Sequence, residues 1–249
     1  MKIIGIIPAR MASTRFPGKP MKKINGTLMI GHVYNRSKMA KILDEVYVAT
    51  CDKEIFDYVK SINGKAIMTA DTHERASDRS AEALEIIEKK NDEKIDIIVM
   101  LQGDEPMILP DMIGAAVEPL INDKNINVVN LMAEIQSEEE WNDPNEVKVV
   151  VDKNNNALYF SREPIPSNKK YEGKIKAYKQ VCIIPFTREG LKNYLSLAET
   201  TLEKIESVDM NRILEHGYTV KMVFTKHNTY AVDTINDLIK VEQLMVDNY

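Results

Sequence analysis

The stretch Ile3-Ile4-Gly5-Ile6-Ile7-Pro8-Ala9-Arg10-Met11-Ala12-Ser13-Thr14-Arg15-Phe16-Pro17-Gly18-Lys19-Pro20 opens on an almost wholly apolar run and empties into a loop of cations, prolines and glycine. A short β-branched run of this kind reads as a strand buried on both faces, as in parallel sheets covered by helices. Pro8 and charged residues follow it with no small-residue cleavage site, so it reads as a buried strand rather than a secretory leader. Similar runs recur at residues 45–49, 65–68, 97–101 and 128–132, and helical periodicity fills residues 29–39, 53–62, 77–89 and 109–121. The alternation predicts an α/β fold with an open, mostly parallel sheet flanked by helices.

Residues 147–184 differ. Strand-like segments at 147–151 and 157–161 flank the turn Asn154-Asn155-Asn156, and Pro164 and Pro166 mark a loop, so this part predicts a small antiparallel insertion. One long amphipathic stretch over 187–216, stopped by Gly217, then a strand at 219–224 and a helix at 234–246 complete the expectation. Neither a repeat nor a linker divides the chain.

Composition narrows the function classes. With 249 residues, 44% hydrophobic and 29% charged, the chain has enough apolar material for a sizeable core. Lys and Arg total 33 against 38 Asp and Glu, a formal charge of -5, which excludes the basic footprint of a dedicated nucleic-acid binder. Cys51 and Cys182 lack the spacing of a zinc site or a disulfide framework, which suits a reducing compartment. No apolar stretch approaches the roughly 20 residues of a membrane span, and a soluble, cytoplasmic protein is expected.

The loop after the first strand carries the first chemical signal. In open α/β sheets ligands bind beyond the carboxyl ends of strands, where Arg10, Arg15 and Lys19, with Ser13, Thr14 and backbone donors, can converge on an anion such as a triphosphate. A solvated basic loop is the plainer alternative, but two prolines and a glycine restrain this one and limit the entropy lost on binding. The loop matches neither the Walker phosphate loop nor the dinucleotide Gly-x-Gly-x-x-Gly pattern.

The second signal, Gln102-Gly103-Asp104-Glu105-Pro106, follows the apolar run 97–101. Asp104 can ligate Mg²⁺, Gly103 permits close approach, and Gln102 offers a donor and an acceptor to a base edge; an exposed acidic turn is the alternative. Asp233, just before the last helical pattern, is open to two readings, an N-cap or a metal ligand. Other features read more simply. His32 packs in a helix or faces solvent, His216 serves a helix C-terminus, Glu138-Glu139-Glu140 forms a solvated face, and Met210 is core or wall.

Together with Asn145-Glu146-Val147-Lys148-Val149-Val150, Ala157-Leu158-Tyr159-Phe160-Ser161-Arg162, Leu202-Glu203-Lys204-Ile205-Glu206 and Val232-Asp233-Thr234, these segments resemble, in order and over nearly the whole chain, the 3-deoxy-manno-octulosonate cytidylyltransferase family. The resemblance implies a single nucleotidyltransferase domain over residues 1–249 with an antiparallel dimerisation insertion near 134–184. It implies CMP transfer from CTP to an acidic sugar, Mg²⁺ as cofactor, pyrophosphate release and a homodimer serving polysaccharide biosynthesis. Carried over by position, Pro8, Ala9, Arg10, Ser13, Thr14, Arg15, Lys19 and Gln102 would bind nucleotide. Arg10, Arg15 and Lys19 would be catalytic, and Asp104 and Asp233 would hold metal. The acceptor side would comprise His73, Arg75, Ser77, Arg79, Arg162, Gln180, Ile184, Glu206, Asp209 and Met210.

That acceptor side departs from the family. Arg75-Ala76 stands where the family has Ser-Gly, Gln180-Val181-Cys182-Ile183-Ile184 replaces a His-x-Gly-Ile-Tyr segment, Val208-Asp209-Met210-Asn211-Arg212 replaces Leu-Glu-Gln-Leu-Arg, and Cys51 replaces an Asp before Asp52. A site built to hydrogen-bond particular hydroxyls discriminates by them. The departures therefore predict a pocket with fewer hydroxyl contacts and one added cation, poor use of the octulosonate, and an acceptor with fewer hydroxyls or an extra anion facing Arg75. The rival readings are a nucleotidyltransferase for another sugar acid, a phosphonate or a phosphorylated molecule, and a nucleotide-binding homologue without turnover.

Overall fold

A computed structural model describes residues 1–12, 16–173 and 175–247. Strand β1 (Ile3–Ala9) leads through a short 3-10 turn and the hairpin β2 (Lys23–Ile24) and β3 (Thr27–Leu28) into α1 (Met29–Lys38). Then come β4 (Glu45–Thr50), α2 (Lys53–Ser61), β5 (Lys65–Met68), α3 (Ala76–Asn91), β6 (Ile97–Leu101) and α4 (Pro110–Asn122). These are the alternating elements predicted for the first half, displaced by at most a residue or two at their ends.

β4 and β6 flank β1, β5 extends the sheet beyond β4, and all four run parallel. The alternation of a pleated strand decides the packing. Ile3 and Ile7 point into a core built with α1, α2 and α4, while Ile4 and Ile6 point into a second core with α3 on the opposite face. Each such side chain fully buried contributes roughly 1.5 to 3 kcal/mol, which is why these strands carry unbroken apolar runs.

The second half departs from expectation in three places. β7 (Val129–Glu134), expected beside the other parallel strands, belongs to a second sheet of order β12-β7-β10-β8-β9. That sheet comprises β8 (Lys148–Val151), β9 (Ala157–Ser161), β10 (Tyr178–Val181) and β12 (Lys221–Thr225) around β7, and α5 (Glu138–Asn142) follows β7. The antiparallel strands of the 134–184 segment thus pair onto β7, which itself runs parallel to β12. β11 (Ile183–Thr187) crosses back as the antiparallel edge of the first sheet, paired with β6.

The amphipathic stretch 187–216 is three helices, not one: α6 (Arg188–Ser196), α7 (Thr201–Glu206) and α8 (Met210–Glu215). Extended backbone at Leu197, a capping box between Thr200 and Glu203, and left-handed Ser207 at φ 52 interrupt it. α9 (Ile235–Asp247) closes the chain. Among the described residues no helix is long and apolar enough to cross a membrane.

Candidate active site

In the first sheet the chain passes from β1 to β4 on one side and later to β6 on the other, so β1 and β6 meet at a topological switch point, where open α/β sheets bind ligands. A cleft of about 460 Å³ opens there. Pro8, Ala9 and Arg10 line it from the end of β1, Gln102, Gly103 and Asp104 from the end of β6, and Lys19 and Asp233 close one wall. His73, Glu74, Arg75, Ala76, Arg79 and Ser207 form the other wall. Gly103 sits close to β1, since a Cβ there would stand 3.1 Å from the Pro8 carbonyl oxygen.

Lys19 is the centre of the first wall. Its Nζ donates to Asp104 Oδ2 at 2.7 Å and to Asp233 Oδ1 at 3.0 Å, with only 12% of the side chain exposed. Burial alone would lower the ammonium pKa, but the two carboxylates outweigh it and hold the pKa above its ordinary value. Backbone bonding makes the juxtaposition rigid, because Val232 N–H donates to the Asp104 carbonyl at 2.9 Å.

Asp233 also stands at the entrance to helix α9, two residues before Ile235. Helix α9 is capped by its neighbours: Thr234 donates backbone and hydroxyl hydrogens to Asp237 Oδ2 at 2.8 and 2.9 Å, and Asp237 N–H donates to Thr234 Oγ1 at 3.3 Å. The Asp233 carboxylate faces Lys19. A pair of carboxylate oxygens converging on one cation suits a hard divalent ion, which takes oxygen ligands and commonly only one or two carboxylates from protein. Among the described residues no group of three or more His, Cys, Asp or Glu is gathered for a metal.

Behind this wall Glu105 is buried and its Oε1 accepts from Cys182 N–H at 3.3 Å. Burial pushes the Glu105 carboxyl up to about 7, and burial beside Glu105 raises the Cys182 thiol. Sequence reasoning missed Glu105 as a brace because its partner Cys182 lies 77 residues away, between β10 and β11. It missed Asp52 as well, whose Oδ2 accepts from Met11 N–H at 2.7 Å.

The second wall is tied by arginines. Arg79 is 2% exposed and donates to Thr69 Oγ1 and to the carbonyls of Ala70 and His73, while Arg10 reaches the His73 carbonyl at 3.4 Å. His73 Nε2 is paired with Glu82 at 2.5 Å. Arg75 NH1 meets Asp209 Oδ1 at 2.5 Å and Glu203 Oε1 at 3.2 Å, and Glu203 is held in turn by Arg212. Burial would lower the Arg75 pKa, and these acids raise it instead. The expected free cation at Arg75 is therefore corrected: its guanidinium is engaged with α7 and α8 across the wall.

Other expected acceptor contacts are corrected too. Ile184 and Met210 are buried in the core and do not line the cleft. Ser77 is fully buried and donates to Asp209 Oδ2 and toward Tyr194. Gln180 spends its amide on Asn130 within the second sheet. Glu206 accepts from Tyr159, Ser161 and the Arg162 N–H, and the Arg162 guanidinium donates to the carbonyls of Glu206 and Pro144. These residues build the support of the wall rather than its surface. Expected Ser13, Thr14 and Arg15 lie outside the described residues.

The remaining features resolve simply. His32 hydrogen-bonds the Ile24 carbonyl and His216 the Ala198 carbonyl. Glu140, read as part of a solvated acidic face, instead pairs with the buried Lys179 at 2.6 Å.

Residues 4–226 match the family model described as cytidylyltransferase. A 3-deoxy-manno-octulosonate cytidylyltransferase of Syntrophus aciditrophicus is 41% identical over 245 residues, covering 98% of each chain. One from Fusobacterium nucleatum is 40% identical over 248 residues, covering 100% of this chain and 98% of that one. Among solved structures, CMP:2-keto-3-deoxy-manno-octonic acid synthetase complexed with CTP superposes with a TM-score of 0.89 at 38% identity, covering both chains fully. A glucose-1-phosphate thymidylyltransferase of Bacillus anthracis shares the fold, with a TM-score of 0.70 at 17% identity, over 99% of this chain and 96% of that one.

Proposed function

This chain belongs to the cytidylyltransferase family, and from that premise we propose that it transfers CMP from CTP to 3-deoxy-manno-octulosonate or a closely related sugar acid, releasing pyrophosphate. The observation that carries this reading is the Lys19 ammonium held between Asp104 and Asp233 beside the β1–β6 switch point.

The acceptor oxygen attacks the α-phosphorus, forming the new P–O bond as the bond to the β-phosphate oxygen breaks. The hydroxyl proton passes to water and pyrophosphate departs with the electron pair. Asp104 and Asp233 would hold Mg²⁺, which when bound supplies charge neutralisation on the phosphates. Lys19 carries three donors, so its two carboxylate bonds leave it able to meet the leaving group as well. Arg10 and Arg15 add charge to the phosphate side, and Gln102 at the end of β6 offers its amide to cytosine. Positioning and electrostatics do most of the work in such reactions.

His73, Arg75 and Arg79 line the same cleft as Lys19, and we assign the sugar acid to that wall. Its rigidity, from Arg75 through Asp209 and Glu203, favours one acceptor shape over many. The homodimer belongs to this proposal too, and exposed Leu158 and Tyr171 in the 134–184 segment supply apolar surface for it. The test is a panel of acidic acceptors, sugar acids, phosphonates and phosphorylated sugars, assayed by pyrophosphate release under saturating CTP and Mg²⁺. Contrary to the poor use expected from the acceptor-side departures, the octulosonate is expected to give the highest kcat/KM, about 10⁴ M⁻¹s⁻¹ or more, since relatives 40% and 41% identical over nearly the whole chain are 3-deoxy-manno-octulosonate cytidylyltransferases. A higher value for a phosphonate or a phosphorylated sugar would move the acceptor class, and no release with any acceptor would leave a nucleotide-binding homologue.

A further inference from the structure

The loop that presents Arg10 and Lys19 is closed at its neck. Gly18 N–H donates to the Met11 carbonyl at 3.1 Å, and Gly18 takes the left-handed conformation at φ 68 that makes this closure possible. The peptide joining Arg10 to Met11 is fixed from the other side: its N–H donates to Asp52 Oδ2 at 2.7 Å.

Asp52 precedes α2 in extended conformation, the place where an aspartate ordinarily accepts from the first-turn N–H groups of its helix. Its side chain makes no such bond. Instead its own N–H is secured by Thr50 Oγ1 at 3.1 Å, and the Cys51 thiol lies 3.6 Å from the same Oδ2. Two costs accompany the arrangement. The helix goes without its side-chain cap, and a carboxylate stands near a site for a polyanion, where like charges repel. Both are accounted for when the carboxylate serves the loop.

We propose that Asp52 is a positioning residue for the nucleotide: by holding the Arg10–Met11 peptide against the β4–α2 junction, it sets where Arg10 meets the triphosphate. This rests on the CTP reading above. Asp52 does not line the cleft, so its loss acts on CTP binding through Arg10 and leaves the sugar-acid wall in place.

The test compares two substitutions that both preserve a good helix N-cap residue. Asp52→Asn retains an acceptor oxygen at the same reach, whereas Asp52→Ser is one bond shorter. With CTP affinity measured by calorimetry, Asp52→Asn should lie within about 3-fold of wild type and Asp52→Ser should bind about 10-fold more weakly. The KM for the sugar acid and the thermal midpoint should be unchanged in both. In the unliganded protein the Met11 amide should exchange slowly in wild type and Asp52→Asn, and faster in Asp52→Ser. Wild-type CTP affinity in Asp52→Ser, equal weakening in both variants, or a loss that merely tracks thermal stability would overturn the assignment. A wild-type chain that does not bind CTP would overturn it together with the transferase reading, which keeps the two failures distinct.

Discussion

Lys19 illustrates what a residue's neighbours add to its type. As a lysine in a cationic loop it is an anion contact; between Asp104 and Asp233 it also keeps two carboxylates close without mutual repulsion. Lys19→Ala should weaken CTP use by about 10- to 100-fold in kcat/KM, the usual size of one or two lost charge-assisted contacts. Steady-state kinetics with varied CTP checks this, and an unchanged kcat/KM would contradict it. Asp104→Asn and Asp233→Asn should each retain the wild-type circular dichroism spectrum while turnover falls and its Mg²⁺ dependence is altered, because a hard anionic ligand is removed at nearly constant volume. Near-normal Mg²⁺-dependent rates in both would dismiss the pair as the metal site. Glu206 gives a pH prediction. Burial would raise its carboxyl pKa, but hydrogen bonds from Arg162, Tyr159 and Ser161 outweigh burial and hold it below its ordinary 4.5. The lowered folded value means the stabilisation is present above about 4.5 and lost as pH falls through the folded value. The thermal-midpoint advantage of wild type over Glu206→Gln should therefore shrink as pH drops below about 4.5; a gap that widens would have the wrong sign. At this scale the gathering of Arg10, Lys19, Gln102 and Asp104 around one cleft was legible, because they lie on two short contiguous segments. The second wall was not, since the partner of Arg75 lies 134 residues away and nothing local announces it.

Elements read from periodicity succeed where the segment is one unbroken strand or helix. The strands at 65–68, 97–101 and 157–161 stand as expected, residue for residue. The stretch 187–216 misled because its amphipathic period runs on across two breaks. The signal for one break was present in Thr200-Thr201-Leu202-Glu203, a capping-box pattern that starts a new helix. The break has a use: it brings Glu203, Glu206 and Asp209 round to Arg75, Arg162 and Arg212, which one straight helix would spread along its length. Helix α6 shows how tightly these pieces fit. A Cβ added to Gly190 would stand 2.4 Å from the Asn127 carbonyl oxygen, a backbone atom that cannot swing aside. Gly190→Ala should cost about 1 to 3 kcal/mol, as overpacked cores do. A urea midpoint equal to wild type would show that the 125–128 segment yields freely.

Across the whole molecule, the first sheet supplies the switch point and the second sheet braces it. Glu105, next to Asp104, reaches Cys182 at the end of β10, and Lys179 of β10 reaches the Thr229 carbonyl, four residues before Asp233. The antiparallel segment is thus joined to the carboxylate pair through its own side chains. An α/β fold was legible because buried parallel strands have a plain apolar signature; which sheet β7 joins was not, since an apolar run reports burial on both faces but names no neighbour. The central claim is the making of a CMP ester with loss of pyrophosphate at the Lys19, Asp104 and Asp233 cluster. Phosphorus NMR of CTP, 3-deoxy-manno-octulosonate, Mg²⁺ and the protein tests it most directly. We expect a phosphodiester resonance and pyrophosphate to grow in equal amounts as CTP falls, whereas CTP left intact, or consumed to CMP or CDP without a diester signal, would contradict the account.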